Sequence, residues 1–266
     1  MADRLSSFER PPEQSPPLTG TPEPVEYLDW DSRFFGRRIA RVRGHRLNDG
    51  LVAAILDCCS AQRIDCLYFL ADAADPETVR LAERNNFDFV DIRTTFERSL
   101  ENLPAESTVV RQARAEDLPH LKRITGRSFS DSRFYYDSHF DRQRCDEFYA
   151  TWIERSCQGY ADCVLVADLN RQAAGFVTCR LGPSQVGSIG LIAVDASAQG
   201  SGLGRCLLVS ALHYFRDRGM TAATVVTQGR NLKSQRLYQR GGFLTQSIGL
   251  WYHRWSDSQV VPNRTE

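Results

Sequence analysis

The apolar run Ile189 to Val194, in the second half of the chain, has the length and composition of a buried strand. A short polar segment follows, then Gly200, Gly202 and Gly204. After them Leu203, Leu207, Ala211 and Phe215 recur at helical spacing, with Leu208 and Leu212 beside that face. Arg216, Arg218 and Gly219 mark where this helix stops. The same two periods predict the remaining elements. In the first part these are a strand over Arg38 to Val42, a helix over Leu51 to Ala61, a strand over Cys66 to Ala71, a helix opened by Pro76, and alternation from Phe89 to Arg98. Beyond Thr108 they are a strand to Ala113, a helix opened by Arg114 to Pro119, and a helix over Asp141 to Ser156. Antiparallel strands follow over Cys163 to Ala167, Ala174 to Leu181 and Gln185 to Val194, with turns at Asn170 and Gly182-Pro183. Past the glycine-led helix come a strand over Ala222 to Thr227, a helix over Asn231 to Gln239 and a strand over Ile248 to Trp255. The polar, aromatic stretch Ser130 to Phe140 reads as an ordered loop. This order gives an α+β (α/β mixed) sheet with helices on its faces.

The pattern also repeats. Arg80-Leu-Ala-Glu-Arg-Asn-Asn-Phe87 and Arg236-Leu-Tyr-Gln-Arg-Gly-Gly-Phe243 share Arg, Leu, Arg and Phe in register, and Ile92 with Ile248 and Arg98 with Arg254 continue the match. The first region therefore reads as a truncated copy of the strand–helix–strand unit that ends the chain. Ala82 stands where the second copy has Tyr238, and no glycine turn precedes the first copy. Two folded regions, 25–101 and 108–255, are expected around a linker at Asn102 to Ser107. The Pro-rich residues 1–24 and residues 256–266 are expected to be disordered tails.

Composition narrows the function classes. The 33 basic and 33 acidic residues cancel, which argues against a nucleic-acid or membrane-surface binder. No apolar run approaches a membrane span, and the N-terminus lacks the apolar segment of a secretory signal. The eight cysteines form no C-x-x-C pair, so they read as buried free thiols of a cytoplasmic protein. The five histidines lack metal-ligand spacing, so no metal is expected.

A strand running through glycines into a helix start aims unpaired N–H groups and the positive end of the helix dipole at one spot, which suits a phosphate or pyrophosphate. Glycines alone also fit an ordinary strand-to-helix turn. A P-loop would need Lys after Gly204, where Arg205 stands, and a dinucleotide fingerprint would need its third glycine at position 205. The turn Gln199-Gly-Ser-Gly-Leu-Gly204 instead fits Q/R-x-x-G-x-G/A. Together with Val194-Asp195 before it, Asn231, Leu237-Tyr238 and Gly242-Phe243 after it, the segment 108–255 resembles the GNAT superfamily of acyl-CoA-dependent N-acetyltransferases. The resemblance implies a GNAT fold preceded by a partial GNAT-like N-terminal domain, with acetyl-CoA as co-substrate.

It also implies roles. Backbone groups of Gln199, Gly200, Ser201, Gly202, Leu203, Gly204 and Arg205 would hold the CoA pyrophosphate. The edge at Ile192, Ala193 and Val194 would pair with pantetheine amides, and Asn231 would bond the cofactor near its thioester. Tyr238 would protonate the departing thiolate, although the residue taken alone is equally a packed helix aromatic. Transfer would be direct, with Cys206 as packing. The base stays open among Asp137, His139, Asp195 and a water chain. The stretches Leu28 to Val42, Ser132 to Phe134 and Phe148 to Ser156 resemble the bacterial dTDP-amino-sugar acetyltransferases, of the dTDP-fucosamine type. Arg33, Phe34, Arg133, Phe134 and Tyr135 would then stack on and neutralise the acceptor nucleotide, or else pack between domains. Another small amine (aminoglycoside, polyamine or amino acid) and a non-catalytic acyl-CoA-binding regulatory module are the alternatives. A homodimer is left open.

Overall fold

A computed structural model describes residues 23–169 and 172–256. The turn expected at Asn170 and nearly all of both expected tails lie outside the described residues. In chain order the elements are β1 (Val25–Tyr27), α1 (Asp29–Phe35), β2 (Ile39–Val42), α2 (Asp49–Ala61), β3 (Cys66–Asp72), α3 (Pro76–Arg84) and β4 (Asp88–Ser99). They continue with β5 (Val110–Gln112), α4 (Leu118–Thr125), α5 (Arg133–Tyr136), α6 (Arg142–Arg155), β6 (Cys163–Leu169), β7 (Gln172–Leu181) and β8 (Val186–Val194). The last are α7 (Leu203–Arg216), β9 (Ala222–Gln228), α8 (Leu232–Arg240) and β10 (Leu244–Trp255).

The chain divides into two compact units, one of residues up to Ile92 and from Gly249 onward, the other Arg93–Ile248. The boundaries cut β4 and β10, whereas the linker expected at Asn102 to Ser107 lies inside the second unit. The repeat explains the difference. Every boundary of β9, α8 and β10 lies 156 residues after the matching boundary of β3, α3 and β4. The last strand of each copy leaves its own helix and pairs with the other copy's first strand. Thus Arg93–Ser99 of β4 lie antiparallel to β9, and Gly249–Trp255 of β10 lie antiparallel to β3. Sequence order does not reveal such an exchange, because both partners are apolar strands in either arrangement.

In the first unit β1 and β2 are antiparallel, β2 and β3 parallel, and the core gathers Ile55, Leu67, Phe69, Leu81 and Phe87 under Tyr252. In the second, β4, β9, β8, β7, β6 and β5 follow in that order, with only β8 and β9 parallel. Leu207, Leu208, Ala211, Leu212 and Phe215 of α7 are fully buried there against Phe96, Val177, Ile189 and Val225. The face read from the sequence is the face that packs.

Three local expectations change. Val25–Tyr27 and Asp29–Phe35, to which the sequence pattern assigned no element, are a short strand and a two-turn helix whose cap residue Leu28 makes no side-chain bond. The final strand begins at Leu244, ahead of the expected Ile248, since Leu244 to Ser247 are exposed and carry no apolar alternation to mark them in the sequence. The loop at 130–140 contains α5, and Phe134 and Phe140 are core residues that meet edge-on at 5.3 Å, with Phe148 at 5.0 Å from Phe134. Four residues of helix are too few to show a period.

The edge strand β5 is fixed by a charged clasp. Arg111 donates from Nη1 and Nη2 to Asp117 (2.8 and 2.9 Å) and from Nε and Nη2 to Asp168 on β6 (2.7 and 2.9 Å). These bonds outweigh the desolvation of the buried Asp117 and hold its carboxyl below the usual carboxylate range. A depressed folded pKa contributes stability above the unfolded value of about 3.9, and that stability is lost as pH falls through the folded value. Asp117→Asn is therefore expected to cost about 2 kcal/mol at pH 7, with the gap from the parent closing below about pH 4. Urea titrations at pH 7 and pH 3 check both halves; a gap independent of pH would assign the loss to packing.

Candidate functional site

The site in the second unit begins where β8 and β9 part. Their parallel pairing runs from Val186↔Ala222 to Ile189↔Val225 and stops, although β8 continues to Val194 and β9 to Gln228. On its other side β8 stays paired with β7 as far as Val194↔Gly175, across a bulge where the Leu191 N–H turns aside to Thr178 Oγ1 at 2.8 Å. One edge of 190–194 is thereby left unpaired in the interior of a sheet. A cavity of about 410 Å³ opens there, lined by Ile192, Ala193 and Val194, the glycine turn and the start of α8.

The turn supplies the cavity's donors. Gly200 and Gly202 have φ of +83° and +87°, the left-handed region that glycine enters without strain, with open space where a side chain would stand. Gly202 is the N-cap of α7 and offers no side chain to its first N–H groups. A missing cap costs about 1 kcal/mol, whereas each buried Leu or Phe of α7 contributes about 1.5–3 kcal/mol, so packing keeps the helix formed with its N-terminus open. Among the described residues the N–H groups of Gly200 through Gly204 have no protein acceptor; the Arg205 and Cys206 N–H groups turn back to Gly202 O at 3.0 and 3.1 Å. A run of unpaired donors at the positive end of a four-turn helix fits a pyrophosphate.

The opposite wall is α8. Asn231 caps it, its Oδ1 accepting the Ser234 N–H at 3.1 Å, which leaves the amide nitrogen as the donor. Gln235 Nε2 ties the helix back to Gln228 O and Gly229 O (3.1 and 2.7 Å). Asn231, Lys233, Ser234 and Leu237 line the cavity. Tyr238 does not; it is 3% exposed, its ring 5.8 Å from Phe96 and 6.0 Å from Phe243. Burial pushes its phenol pKa up, and the neighbouring Ser234 side chain offsets part of that.

Of the positions singled out in the sequence, Ile192, Ala193, Val194, Gln199, Gly200, Gly202, Leu203, Gly204 and Asn231 line one cavity, and Ser201 and Arg205 belong to the same turn without lining it. Ser201 Oγ donates to Ala198 O at 2.6 Å and braces the turn. Arg127, Ser128, Ser130 and Asp131 also line the cavity and were missed, as were Lys233 and Ser234. Ser234 was legible at three residues past Asn231 and four before Tyr238. Arg127 was not, because it is brought to the turn only by the packing of α4 on β7 and β8.

The five suggested acceptor residues are placed differently. Arg33 and Phe34 lie on α1 in the first unit, Arg33 paired with Asp29 and Phe34 stacked on Trp30 at 5.1 Å. In the second unit Arg133 and Phe134 are buried, the guanidinium 4.4 Å from the Phe134 centroid, and Tyr135 donates its hydroxyl to Asp146. Among the base candidates, Asp195 accepts from Ser197 N and Oγ (3.0 and 2.7 Å) and pairs with Arg123, and these partners hold its carboxyl below the usual range, which makes it a poor base. Buried Asp137 accepts from His139 Nδ1 at 2.8 Å, the arrangement that orients an imidazole.

All eight cysteines are free thiols, and burial pushes Cys59 up to about 11 and Cys145 up to about 12. Cys206 is half-buried on α7. Among the described residues no group of three His, Cys, Asp or Glu is arranged to hold a metal, and no helix is long and apolar enough to cross a membrane.

Residues 125–243 match the model of the acetyltransferase (GNAT) family. Similar proteins include a mycothiol acetyltransferase of Thermomonospora curvata, 34% identical over 34% of this chain and 30% of its own length. Another is the spore coat polysaccharide biosynthesis protein SpsD of Bacillus subtilis, 27% identical over 50% of this chain and 46% of its own. The chain thus spans less than half the length of either relative. Among solved structures, a GCN5-related N-acetyltransferase from Sphaerobacter thermophilus superposes with a TM-score of 0.63 over 87% of this chain and 76% of that one, at 13% identity. The fold is that of the GNAT acetyltransferases.

Proposed function

We propose that this chain, whose residues 125–243 match the GNAT acetyltransferase family model, is an N-acetyltransferase using acetyl-CoA to acetylate the amine of a small acceptor. The observation that carries the reading is the unpaired β8 edge lying in one cavity with the open N-terminus of α7 and the Asn231 cap of α8. Acetyl-CoA supplies the acetyl group as a thioester. The N–H groups of the 200–204 turn hold its pyrophosphate, with Arg127 and Lys233 as the cations of the same cavity. The edge at Ile192 to Val194 receives the pantetheine amides as an added strand would, and Asn231 donates near the thioester. Tyr238 gives its proton to the leaving sulfur, next to Ser234 on the cavity wall. His139, oriented by Asp137, takes the proton of the attacking amine, directly or through water. No acyl-enzyme is required, because the amine attacks the thioester directly. The free thiols fit a cytoplasmic protein.

The preferred acceptor is a nucleotide-linked amino sugar of the dTDP type. The similarity to a polysaccharide biosynthesis protein supports it. A second reading, acetylation of a mycothiol-type amine, is favoured by the relatives that bear that name. Acetyl-CoA at about 100 times its Kd should add about 2.7 kcal/mol of stability, read as a rise in melting temperature; no rise removes the co-substrate. Thiol release with dTDP-4-amino sugars and with the unacetylated form of mycothiol then separates the two acceptors, and release with neither leaves a non-catalytic acyl-CoA-binding module.

A further inference from the structure

The short helix that carries Asn231 and Tyr238 is held at its far end by a side chain from the other copy of the repeat. Arg98, near the end of β4, donates from Nη1 to Gly241 O just past α8, and from Nε and Nη2 to Ser99 O and Asn102 O (3.3 and 3.4 Å). Its guanidinium lies against Gly242, where a Cβ would come within 3.0 Å of Nη1 and 3.2 Å of Cζ. Gly242 also has φ of +82°, so only glycine gives both the left-handed turn and the close approach. Two residues earlier on the same strand face, Phe96 packs on the Tyr238 ring. One strand therefore seats the tyrosine and caps its helix, with a cation at the negative end of the helix dipole.

The first copy has the same device. Arg254, 156 residues after Arg98, donates from Nε to Asn85 O at 3.0 Å at the end of α3, and Asn86 occupies the left-handed position with φ of +59°. There the helix residue matching Tyr238 is Ala82, wholly buried. Two equivalent clamps thus hold two equivalent helices, one of which carries the proposed acid.

We propose that Arg98 is a positioning residue of the transfer reaction: by gripping the C-terminal carbonyl of α8 one turn beyond Tyr238, it fixes where the phenol meets the leaving sulfur. The inference rests on the function proposed above. Arg254 then has the same structural duty with no catalytic one, and serves as an internal control. A misplacement of about 1 Å costs on the order of 100-fold in rate, while contacts that bind the cofactor lie at the other end of α8 and in the 200–204 turn. Arg98→Ala should therefore lower kcat by about 10- to 100-fold and leave the KM for acetyl-CoA within about 2-fold. Arg98→Lys keeps one donor for Gly241 O and should recover most of kcat. Arg254→Ala should lower the melting temperature about as much as Arg98→Ala while leaving kcat unchanged.

The test is thiol release from acetyl-CoA, with a dTDP-4-amino sugar as acceptor and with water alone, for these three variants and Tyr238→Phe, beside their melting curves. A kcat loss confined to Arg98→Ala and Tyr238→Phe, with Arg98→Lys close to the parent, supports the proposal. Equal melting losses in Arg98→Ala and Arg254→Ala with kcat intact in both, or a rise in KM that accounts for the whole loss in Arg98→Ala, would overturn the positioning role alone. Full turnover in Tyr238→Phe would instead overturn the acid on which the proposal stands.

Discussion

Tyr238→Phe is expected to bind acetyl-CoA as the parent does and to turn over about 10²- to 10⁴-fold more slowly, the range supplied by a positioned general acid. The ring keeps its contacts with Phe96 and Phe243, so the substitution removes one hydroxyl and leaves the packing of α8 intact. Stability should move by less than about 1 kcal/mol, since a single hydrogen-bonding group changes. Burial raises the phenol's pKa, which keeps the proton in place over the whole working range. An alkaline fall in kcat below about pH 10 would accordingly belong to another group. Calorimetric titration with acetyl-CoA and single-turnover thiol release separate the two effects. A variant with parental turnover would remove Tyr238 from the reaction, and a variant that no longer binds acetyl-CoA would make it a packing residue.

The strand edge, glycine turn and α8 cap that line the cavity were legible because their signals are local. A strand, glycines with left-handed φ, an apolar helix face and Asn231 seven residues before Tyr238 all lie within fifty residues, and each depends on backbone geometry that the residue types themselves dictate. The wall that residues 127–131 add to the cavity was not legible, for the opposite reason. Arg127 and Asp131 reach the cavity from the end of α4, and nothing in their own neighbourhood marks them. The aromatic stretch at 130–140 had the composition of a binding loop, yet Phe134 and Phe140 are buried against Phe148. Composition does not distinguish a ring stacked on a ligand from one stacked on its own core. The repeat was visible as Arg, Leu, Arg and Phe in register. Its consequence, an exchange of last strands that puts Arg98 of one copy at the end of the other copy's helix, follows only from the strand pairing.

Gly202→Val should have the complementary effect: affinity for acetyl-CoA falls while kcat at saturation is retained. A β-branched residue at a φ of +87° is strained by about 1–3 kcal/mol, and the turn relieves the strain by leaving the left-handed region. The N–H groups of 200–204 then no longer converge. Hydrogen bonds to a charged group contribute about 1.5–3 kcal/mol each, so losing the direction of even one weakens binding by about 10- to 150-fold. Gly202→Asn should lose less, because asparagine tolerates this backbone conformation. Gly219, just past the other end of α7, has a φ of +78° and open space around it, so Gly219→Val carries a comparable strain at a distance from the donors. Equal melting losses in the two valine variants, with acetyl-CoA affinity reduced only at position 202, assign the loss to the converging N–H groups. Equal losses of affinity at both positions would mean that the helix as a whole, and not its open N-terminus, holds the cofactor.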